Sequence, residues 1–565
     1  MQQHLQDRHP GRVAVSLDHG PAVLALLALV GLWEAAVRLG EVSPWVLPAP
    51  SRVARALWES RVLLLAHAAP TLVEAAAGTA LALWAGALFG AVVHATPLAR
   101  RALYPLLVGT QSLPVIVVAP LLTIWLGYGI LPKVVLVAFT GFFPIAVAVA
   151  DGLQSAVPEM LRLVRSMGGG GWQLFWKVRV PSALPSFFTG VKVSITYALI
   201  AAVVSEWMGA SEGLGVFMSR SARAFQTDRL FAAVVGVSAL SAALFLAVEG
   251  LARFAMPWHY GRAAPRRRRP AATALVAAAE GDGPGNGTET PLSAMSPGAQ
   301  TSRATLVVEG ISKRFRMPSG DEVGVLEGVS LSVRPNELVA LIGPSGCGKS
   351  TLLHIVAGVE APDAGHIRLS GSDITGRTGL VRLMPQQDLL MPWRTVLGNC
   401  LMGPEVQRRN LAAARARALA MLPLFGLSGF EHVYPALLSG GMRQRASLLR
   451  TVLAGEGPLL LDEPFGALDA LTRRRMWAWL LHVRARLGVS VLLITHDVEE
   501  AVALADRVYV LSPRPARVIA ERRVRERPGE PLEARRSQEL RHELLEALGV
   551  PPSTVAVWGA DAVRG

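Results

Sequence analysis

The chain has 565 residues, of which 51% are apolar and 17% are charged, and its formal net charge is +14. This length excludes a single hydrophobic core, the apolar excess indicates a membrane protein, and two cysteines exclude a disulfide framework. The positive charge fits either nucleic acid or an anionic lipid surface, and the placement of the arginines decides between these partners.

Six long apolar segments occupy the first half of the chain. Each approaches the roughly 20 residues that a helix needs to cross a bilayer, and they are Pro21–Ala36, Leu72–Ala95, Leu103–Trp125, Leu131–Ala150, Phe187–Met208 and Leu230–Ala252. The sequence therefore predicts an all-α transmembrane domain of six helices over residues 1–261. A cleaved signal peptide is the alternative for the first segment, which is short and follows Arg8 and Arg12. We favour an uncleaved helix because no clear small-residue cleavage site follows it.

Basic residues flank these segments unevenly, which predicts their orientation. One side carries Arg52, Arg55 and Arg61, and the other carries the larger group of Arg100, Arg101, Arg162, Arg165, Lys177, Arg179 and Arg266–Arg269. Positive charge accumulates on the cytoplasmic side of membrane proteins, so the larger group marks the cytoplasm. Because this placement accounts for the net charge, we expect the lipid bilayer as a partner and no nucleic acid.

A few ionisable residues interrupt the apolar segments, namely Glu34, Glu74, Lys192, Glu206 and Glu249. A charge exposed at the centre of a bilayer costs about 3 kcal/mol or more. We therefore expect these side chains to face the bundle interior, an interface or a helix end. For Glu206, a functional position and a structural one remain equally open.

Residues 262–304 change in composition to arginine, then alanine, then glycine with serine, proline and threonine. Such a segment has no apolar period to bury, so we expect a flexible tether between two domains. The next domain spans residues 305–525. The tail, residues 526–565, contains one amphipathic stretch, about Leu532–Leu548, which we expect to form a helix packed on that domain.

The stretch Gly343–Ser350 has the pattern G-x-x-x-x-G-K-[ST] and follows the apolar run Leu338–Ile342. Glycines let the backbone aim several N–H groups at one anion, and the helix that follows adds its positive end. The pattern predicts a phosphate-binding loop in which Lys349 reaches the phosphates of ATP and Ser350 binds Mg²⁺. A glycine-rich turn without a ligand is the alternative. The predicted nucleotide-binding residues here are Gly343, Pro344, Ser345, Gly346, Cys347, Gly348, Lys349, Ser350 and Thr351.

An acidic pair and a second helix start complete the set of local motifs. The apolar strand Leu459–Leu461 ends in Asp462, which we assign to the Mg²⁺ shell, and Glu463, which we assign as general base. An edge strand with two solvated acids is the alternative. Another helix opens with an anion-facing N-terminus formed by Ser439, Gly440 and Gly441. A single catalytic site does not obviously need two such helix ends.

Residues 305–525 resemble the ATP-binding cassette family, which has an α/β P-loop NTPase fold. Leu438–Gln444 is similar to the signature sequence of that family, with Met442 where glutamine is commonest. The resemblance explains the two anion sites, because in this family the signature helix of one copy closes on the phosphate loop of another. It therefore implies that the chain works as a homodimer.

The same resemblance implies roles for residues outside the phosphate loop. Gln386 is similar to the loop glutamine that touches Mg²⁺ and senses the membrane partner, and His496 is similar to the switch histidine that holds the γ-phosphate. Asp469 matches the loop after the acidic pair, and Phe315 stands where an aromatic ring stacks on adenine. ATP and Mg²⁺ are the implied ligands, and hydrolysis to ADP and phosphate is the implied reaction.

The polar loop Asp151–Ser186 carries a second resemblance. Its stretch Ser166–Pro181 is similar to the cytoplasmic coupling loop of bacterial binding-protein-dependent importers, which docks on the ATPase near Gln386. One departure is Arg162-Leu163-Val164, where that family usually has Glu-Ala-Ala, so the acidic contact stays open. A merely amphipathic loop is the alternative.

Ile124–Lys133 and Pro392–Val396 resemble the importer branch for nitrate, taurine, aliphatic sulfonates and thiamine-pyrimidine precursors. The resemblance implies ATP-driven import of such a small solute across the bacterial inner membrane, with the ATPase in the cytoplasm and a separate solute-binding protein outside. An exporter half-transporter shares the domain order and is the first alternative. A cassette ATPase without transport activity is the second, and the predicted spans argue against it.

Overall fold

The computed structural model describes residues 20–110, 112–261, 305–317, 320–466, 468–525 and 533–549. Two compact units divide the chain, one with Met1–Gln154 and Ala183–Ala255, the other with Ser155–Ser182 and Met256–Gly565. The predicted tether, residues 262–304, lies outside the described residues, and so does most of the tail. The loop that we compared with a coupling loop belongs to the unit that contains the ATPase.

Helices make up all of the regular structure that is described before residue 262. They are α1 (Gly20–Leu39), α2 (Pro50–Glu59), α3 (Arg61–Ala95), α4 (Pro97–Thr110), α5 (Val115–Leu126), α6 (Ile130–Gln154), α7 (Pro158–Ser166), α8 (Gly171–Leu174), α9 (Val180–Glu206), α10 (Leu214–Arg223), α11 (Thr227–Ala255) and α12 (Pro257–Tyr260). A π-helical turn, Phe175–Arg179, joins α8 to α9. The predicted all-α class of this half is confirmed.

Within the described residues, fewer helices qualify as membrane spans than the six that the sequence predicts. Among the described residues, four helices are long and apolar enough to cross a membrane: α3, α6, the run Gly171–Glu206 and α11. The predicted segment Leu103–Trp125 is instead the pair α4 and α5, whose axes differ by 96° and which could form a fifth span. Pro114 immediately precedes α5, and a residue before proline avoids helical conformation, which breaks this segment. The predicted first segment, Pro21–Ala36, lies within the 20-residue helix α1, which is not among the four.

Close approach of α3 to α6 depends on glycines. A Cβ atom added at Gly78 would lie 2.4 Å from Cβ of Val137, and one added at Gly90 would lie 2.7 Å from the carbonyl oxygen of Ala146. Small residues of this kind let helix backbones pack closely where the hydrophobic effect between helices is weak. Larger side chains at these positions would force α3 and α6 apart.

Ion pairs hold several of the charged residues of the apolar helices. Lys133 of α6 lies 2.6 Å from Glu74 of α3, and Lys192 of α9 pairs with Glu249 of α11. Glu74 is 4% exposed. The sequence reasoning missed Lys133 as a partner, because the two residues are 59 positions apart.

Glu206 caps the first turn of α10 rather than lying open. Its carboxylate accepts hydrogen bonds from the backbone N–H of Gly215 and from Oγ1 of Thr71, both at 2.5 Å. Thr71 also accepts from the backbone N–H of Leu214 at 3.0 Å. The free N–H groups at a helix start need such acceptors, so a structural position of Glu206 is observed.

Two β-sheets and eight helices form the described part of the chain after residue 304. The strands are β1 (Leu306–Arg316), β2 (Glu322–Val333), β3 (Leu338–Ile342), β4 (Ala364–Leu369), β5 (Ser372–Asp373), β6 (Arg382–Met384), β7 (Leu459–Asp462), β8 (Val491–Ile494), β9 (Arg507–Leu511) and β10 (Val518–Arg523). The helices are α13 (Lys349–Val356), α14 (Val396–Cys400), α15 (Met402–Val406), α16 (Leu411–Met421), α17 (Gly440–Leu453), α18 (Ala470–Leu487), α19 (Val498–Leu504) and α20 (Ala534–Ala547). The predicted α/β class of this half is confirmed.

The larger sheet positions the candidate site. Its strand order is β10-β9-β3-β8-β7-β6, and β3 pairs in parallel with both β8 and β9. Strands β3, β7 and β8 are buried along their whole length, as expected for parallel strands covered on both faces. Because parallel strands end at the same edge of a sheet, the residues that follow β3, β7 and β8 come together there.

The predicted tail helix is α20, which packs on the ATPase as expected. Leu540 and Leu544 are fully buried, and Arg541 lies 3.0 Å from Glu499 of α19. The helix α19 begins two residues after His496. The tail therefore packs against the helix that follows His496.

Candidate nucleotide-binding site

The phosphate-binding loop leaves β3 at Gly343 and enters α13 at Lys349. Gly346 and Gly348 have φ angles of +73° and +124°, which residues with a side chain rarely adopt. A Cβ atom at Gly348 would also lie 2.7 Å from Cγ1 of Val325. Backbone conformation thus favours glycine at both positions, and packing also requires it at Gly348.

Lys349 lies across the loop with only 6% of its surface exposed. Its Nζ atom donates hydrogen bonds to the carbonyl oxygens of Gly343 at 2.8 Å and Pro344 at 3.0 Å. Cys347 is buried against the strands and serves as a small apolar residue of the turn. The loop residues Pro344–Cys347, with Arg514, line a cavity of about 340 Å³. An ammonium group held at this loop is suited to a phosphate chain.

Ser350 and Asp462 meet at the edge of the sheet. The Ser350 hydroxyl donates a hydrogen bond of 3.2 Å to Oδ1 of Asp462, which is the last residue of β7. Burial, together with the nearby charge of Glu463, raises the pKa of the Asp462 carboxyl despite the hydrogen bond from Ser350. A hydroxyl and a buried carboxylate are hard oxygen ligands, so this pair fits Mg²⁺.

Glu463 lies between two other predicted site residues. Its Oε2 atom accepts a hydrogen bond of 3.0 Å from Nε2 of Gln386, and its Oε1 atom lies 3.0 Å from Nδ1 of His496. Glu463 also has a positive φ angle of 43°, a strained conformation for a residue with a side chain. The structure thus brings together three residues that are far apart in the sequence.

Strand β2 connects Phe315 to the phosphate loop. It pairs with Val323 of that strand, and Val325, two residues further along β2, contacts the position of Gly348. Phe315 remains 38% exposed, and the Lys313 ammonium lies 5.3 Å from its ring centroid. An exposed ring in this position is available for stacking on a base.

The signature residues Ser439, Gly440 and Gly441 begin a helix elsewhere on the ATPase. Ser439 caps α17 by accepting a hydrogen bond of 3.4 Å from the backbone N–H of Met442. Gly441 faces Thr472 in the first turn of α18, which Asp469 caps with a hydrogen bond of 3.0 Å from the Thr472 N–H. That hydrogen bond lowers the pKa of Asp469. In the part of the chain that is described, no hydrogen bond joins the signature residues to the phosphate loop.

Arg450 is a supporting residue that the sequence motifs do not reveal. Its guanidinium donates to the carbonyl oxygens of Leu389 at 2.6 Å and Asp388 at 2.7 Å. These carbonyls follow Gln386 by two and three residues. Burial lowers the pKa of Arg450 to about 10, so the group is charged at neutral pH. Arg450 therefore fixes the segment after Gln386.

Arg450→Met is expected to destabilise the ATPase by about 3 kcal/mol, because it leaves two carbonyl groups without their charged donor. Arg450→Lys, which keeps the charge and one donor direction, should lose less. Thermal unfolding of the full chain in detergent measures both. Equal melting temperatures for the wild type and Arg450→Met would contradict this role.

Glu500, a buried carboxyl of α19, predicts a pH dependence of the stability of the ATPase. It is 4% exposed and accepts hydrogen bonds from Thr495 and, at 3.1 Å, from Trp477. Burial raises its pKa above the usual 4.5, and the charge of Asp497 acts in the same direction, while the two hydrogen bonds and Arg473 oppose them. Between pH 4.5 and the folded-state pKa, Glu500 therefore binds more protons in the folded chain than in the unfolded chain.

Stability should consequently fall as the pH rises from 4.5 through the folded-state pKa of Glu500. Glu500→Gln removes this titration, so its melting temperature relative to the wild type should increase over that interval. Melting curves of both proteins from pH 4.5 to 8 test the sign. A difference in melting temperature that stays constant with pH would exclude a contribution of Glu500 to the pH dependence.

The loop Ser155–Ser182 packs on the ATPase within the second unit. Leu163, Val164 and Val178 of the loop form one apolar cluster with Met391 and Met402. The backbone N–H of Gly379 also donates to the carbonyl oxygen of Ser166 at 2.9 Å. The docking expected near Gln386 is therefore observed, and the two apolar residues of Arg162-Leu163-Val164 take part in it.

Comparison with known proteins agrees with this geometry. The family model for the ABC transporter matches residues 326–466, and the model for the binding-protein-dependent transport system inner membrane component matches residues 78–257. The taurine import ATP-binding protein of Ruegeria pomeroyi is 41% identical over 219 residues, which are 39% of this chain and 82% of that protein. The chain belongs to the ABC transporter family. The taurine import ATP-binding protein of Burkholderia thailandensis is 48% identical over 195 residues, which are 34% of this chain and 75% of that protein.

This ABC transporter carries a permease and an ATPase in one chain, as the sequence predicts. It is a membrane protein of the importer type that binds nucleotide and couples ATP hydrolysis to transport. A similar solved structure is the dimeric structure of MJ0796, a bacterial ABC transporter cassette, at 27% identity. It covers 39% of this chain and 100% of that one, with a TM-score of 0.35.

Proposed function

We propose that two copies of this chain import a small solute of the sulfonate, taurine, nitrate or thiamine-pyrimidine precursor type across the bacterial inner membrane. ATP would bind at the residues described around the phosphate loop. The ATPase would lie in the cytoplasm. The observation that carries the proposal is the meeting of Glu463, Gln386 and His496 beside the phosphate loop. The loop docked a few residues after Gln386 provides a route from that site to the permease.

The position of the signature helix supports the pairing of two chains. Ser439, Gly440 and Gly441 begin α17, and Gly441 faces Thr472 of α18, whereas the phosphate loop follows β3. A helix N-terminus of this kind attracts phosphate. We infer that the signature residues of one copy complete the nucleotide site of the other, which makes a homodimer with two such sites.

Hydrolysis depends on the placement of charge around the γ-phosphate. Ser350, Asp462 and Gln386 would hold Mg²⁺, which neutralises charge on the phosphates when it is bound. Lys349 binds the phosphate chain. Glu463 accepts a proton from the attacking water, and His496, 3.0 Å from Glu463, stabilises the charge on the γ-phosphate.

The solute class follows from the relatives. The curated relatives are ATP-binding proteins of taurine import, and taurine belongs to the solutes of the branch that Ile124–Lys133 and Pro392–Val396 resemble. A permease of the binding-protein-dependent type receives its solute from a separate binding protein. We therefore propose a periplasmic or lipid-anchored binding protein as partner.

Reconstitution in liposomes tests the function. The full chain is combined with candidate binding proteins loaded with taurine, an alkanesulfonate, nitrate or a pyrimidine precursor, and ATP hydrolysis and solute movement are measured. Stimulation by one loaded binding protein, with solute movement towards the side of the ATPase, is the expected result. Movement away from that side without a binding protein would favour the exporter alternative.

A further inference from the structure

The docked loop Ser155–Ser182 differs from the importer family that it resembles in the sign of one charge. An acidic residue is usual at position 162, but this chain has Arg162, which is exposed. Burial lowers the pKa of His354 in α13, and the positive charge of Arg162 acts in the same direction. The acidic contact of the loop must therefore be replaced or absent.

An ion pair further along the loop supplies a replacement. Lys177 Nζ lies 2.7 Å from Oε2 of Glu405, and the same oxygen lies 2.8 Å from the Arg394 guanidinium. These side chains are between 18% and 26% exposed, so the pair is shielded from water more than a surface ion pair. Burial alone would raise the pKa of Glu405, but Arg394 and Lys177 lower it.

Neutral hydrogen bonds flank this ion pair on both sides. Gln173 Nε2 donates to the carbonyl oxygen of Val406 at 2.8 Å, and Gln407 Nε2 donates to the carbonyl oxygen of Met167 at 3.2 Å. The three consecutive residues from Glu405 to Gln407 therefore all bind the loop. Together with the apolar cluster, they fix the register of the loop at this point.

Arg394 connects the ion pair to the catalytic residues. It follows Gln386 by eight residues, and Gln386 donates a hydrogen bond to Glu463. Asn399 holds the segment between them by binding the backbone of Met391 in both directions, at 2.7 and 3.2 Å. Hydrogen bonds thus hold the segment that joins Gln386 to Arg394, the partner of Glu405.

We propose that Lys177 and Glu405 are positioning residues that transmit nucleotide binding to the permease, with the cation on the loop and the carboxylate on the ATPase. This polarity is the reverse of the one that the resemblance implies. The proposal rests on the proposed function, because it assigns the contact through which that ATPase drives the permease. Arg394 keeps Glu405 charged and aimed at the loop.

Substitutions of Lys177 and Glu405 distinguish transmission of nucleotide binding from mere docking of the loop on the ATPase. Glu405→Gln leaves two cations, Lys177 and Arg394, around a neutral amide and should have the largest effect. Lys177→Met leaves Glu405 paired with Arg394 and should have a smaller effect. The double variant Lys177→Met/Glu405→Gln removes the repulsion between Lys177 and Arg394. Its loss of transmission should therefore be no larger than that of Lys177→Met alone. Lys177→Arg keeps the cation and should retain function.

Hydrogen exchange of the full chain in lipid nanodiscs measures transmission without the solute. The readout is the change in exchange of peptides from α6 and α9 when a non-hydrolysable ATP analogue and Mg²⁺ are added. Glu405→Gln should reduce this change to about a tenth of the wild-type value and keep wild-type nucleotide affinity. Arg162→Met, which removes a cation from the same loop, is the matched control and should keep the full response.

Three results would overturn the proposal: a full response in Glu405→Gln, additive losses in the double variant, or an equal loss in Arg162→Met. Nucleotide affinity and ATP hydrolysis, measured on the same samples, distinguish this failure from failure of the proposed function. A wild-type chain that binds nucleotide without any response in α6 and α9 would overturn both.

Discussion

Lys349→Ala is expected to weaken ATP binding by about tenfold to a hundredfold, because a charged hydrogen bond to phosphate contributes about 1.5–3 kcal/mol. The structure places Nζ of this residue at the phosphate loop, bonded to the carbonyl oxygens of Gly343 and Pro344. Titration of the full chain with a fluorescent ATP analogue measures the change.

Two further variants make the Lys349 result specific. Lys349→Arg keeps a cation with a different shape and should lose less affinity than the alanine variant. Ser372→Ala, in the exposed strand β5 of the smaller sheet, removes only a neutral hydroxyl and should bind as well as the wild type. Unchanged affinity in Lys349→Ala would show that Gly343–Ser350 is a structural turn.

Glu463→Gln should reduce ATP hydrolysis about a hundredfold or more, which is the usual contribution of a general base, and leave ATP binding intact. The amide can still accept one hydrogen bond from Gln386, so the site should keep its shape, but it cannot take a proton from water. ATP that is bound and not hydrolysed should then hold two chains together. Phosphate release and the mass of the particle with ATP measure the two effects.

Glu456→Gln is the matched control for this experiment. Glu456 is an exposed carboxylate a few residues before β7, and its replacement should leave hydrolysis unchanged. Hydrolysis at the wild-type rate in Glu463→Gln would reject Glu463 as the base. A particle of single-chain mass in the presence of ATP would instead reject the proposed pairing.

Local motifs made the phosphate loop predictable from the sequence. The glycines, Lys349 and Ser350 are neighbours in the chain, so their spacing alone indicates their geometry. Asp462 and Glu463 could be assigned because they end a buried strand. The positions of Gln386 and His496 relative to Glu463 came only from the family resemblance, since no spacing in the sequence brings them together.

Contacts between distant residues were beyond the sequence. Lys177 and Glu405 are 228 positions apart, and Arg450 reaches Leu389 across 61 positions. Neither pair belongs to a motif, and an arginine within an apolar helix face gives only a weak signal of a buried role. The bend in the predicted span Leu103–Trp125 was missed for a different reason, because hydropathy measures composition and does not show where Pro114 interrupts a helix.

The π-helical turn Phe175–Arg179 contains Lys177 and sets the direction of that side chain. An α-helix turns by about 100° per residue, so the extra residue of a π-turn shifts all following side chains around the axis by about that angle. Val178 is buried here, whereas Trp176 is half exposed. Removing Phe175 or Trp176 from this turn would therefore rotate Lys177 away from Glu405, even though Lys177 itself is kept. The Lys177–Glu405 pair thus depends on the length of this segment as well as on its residues.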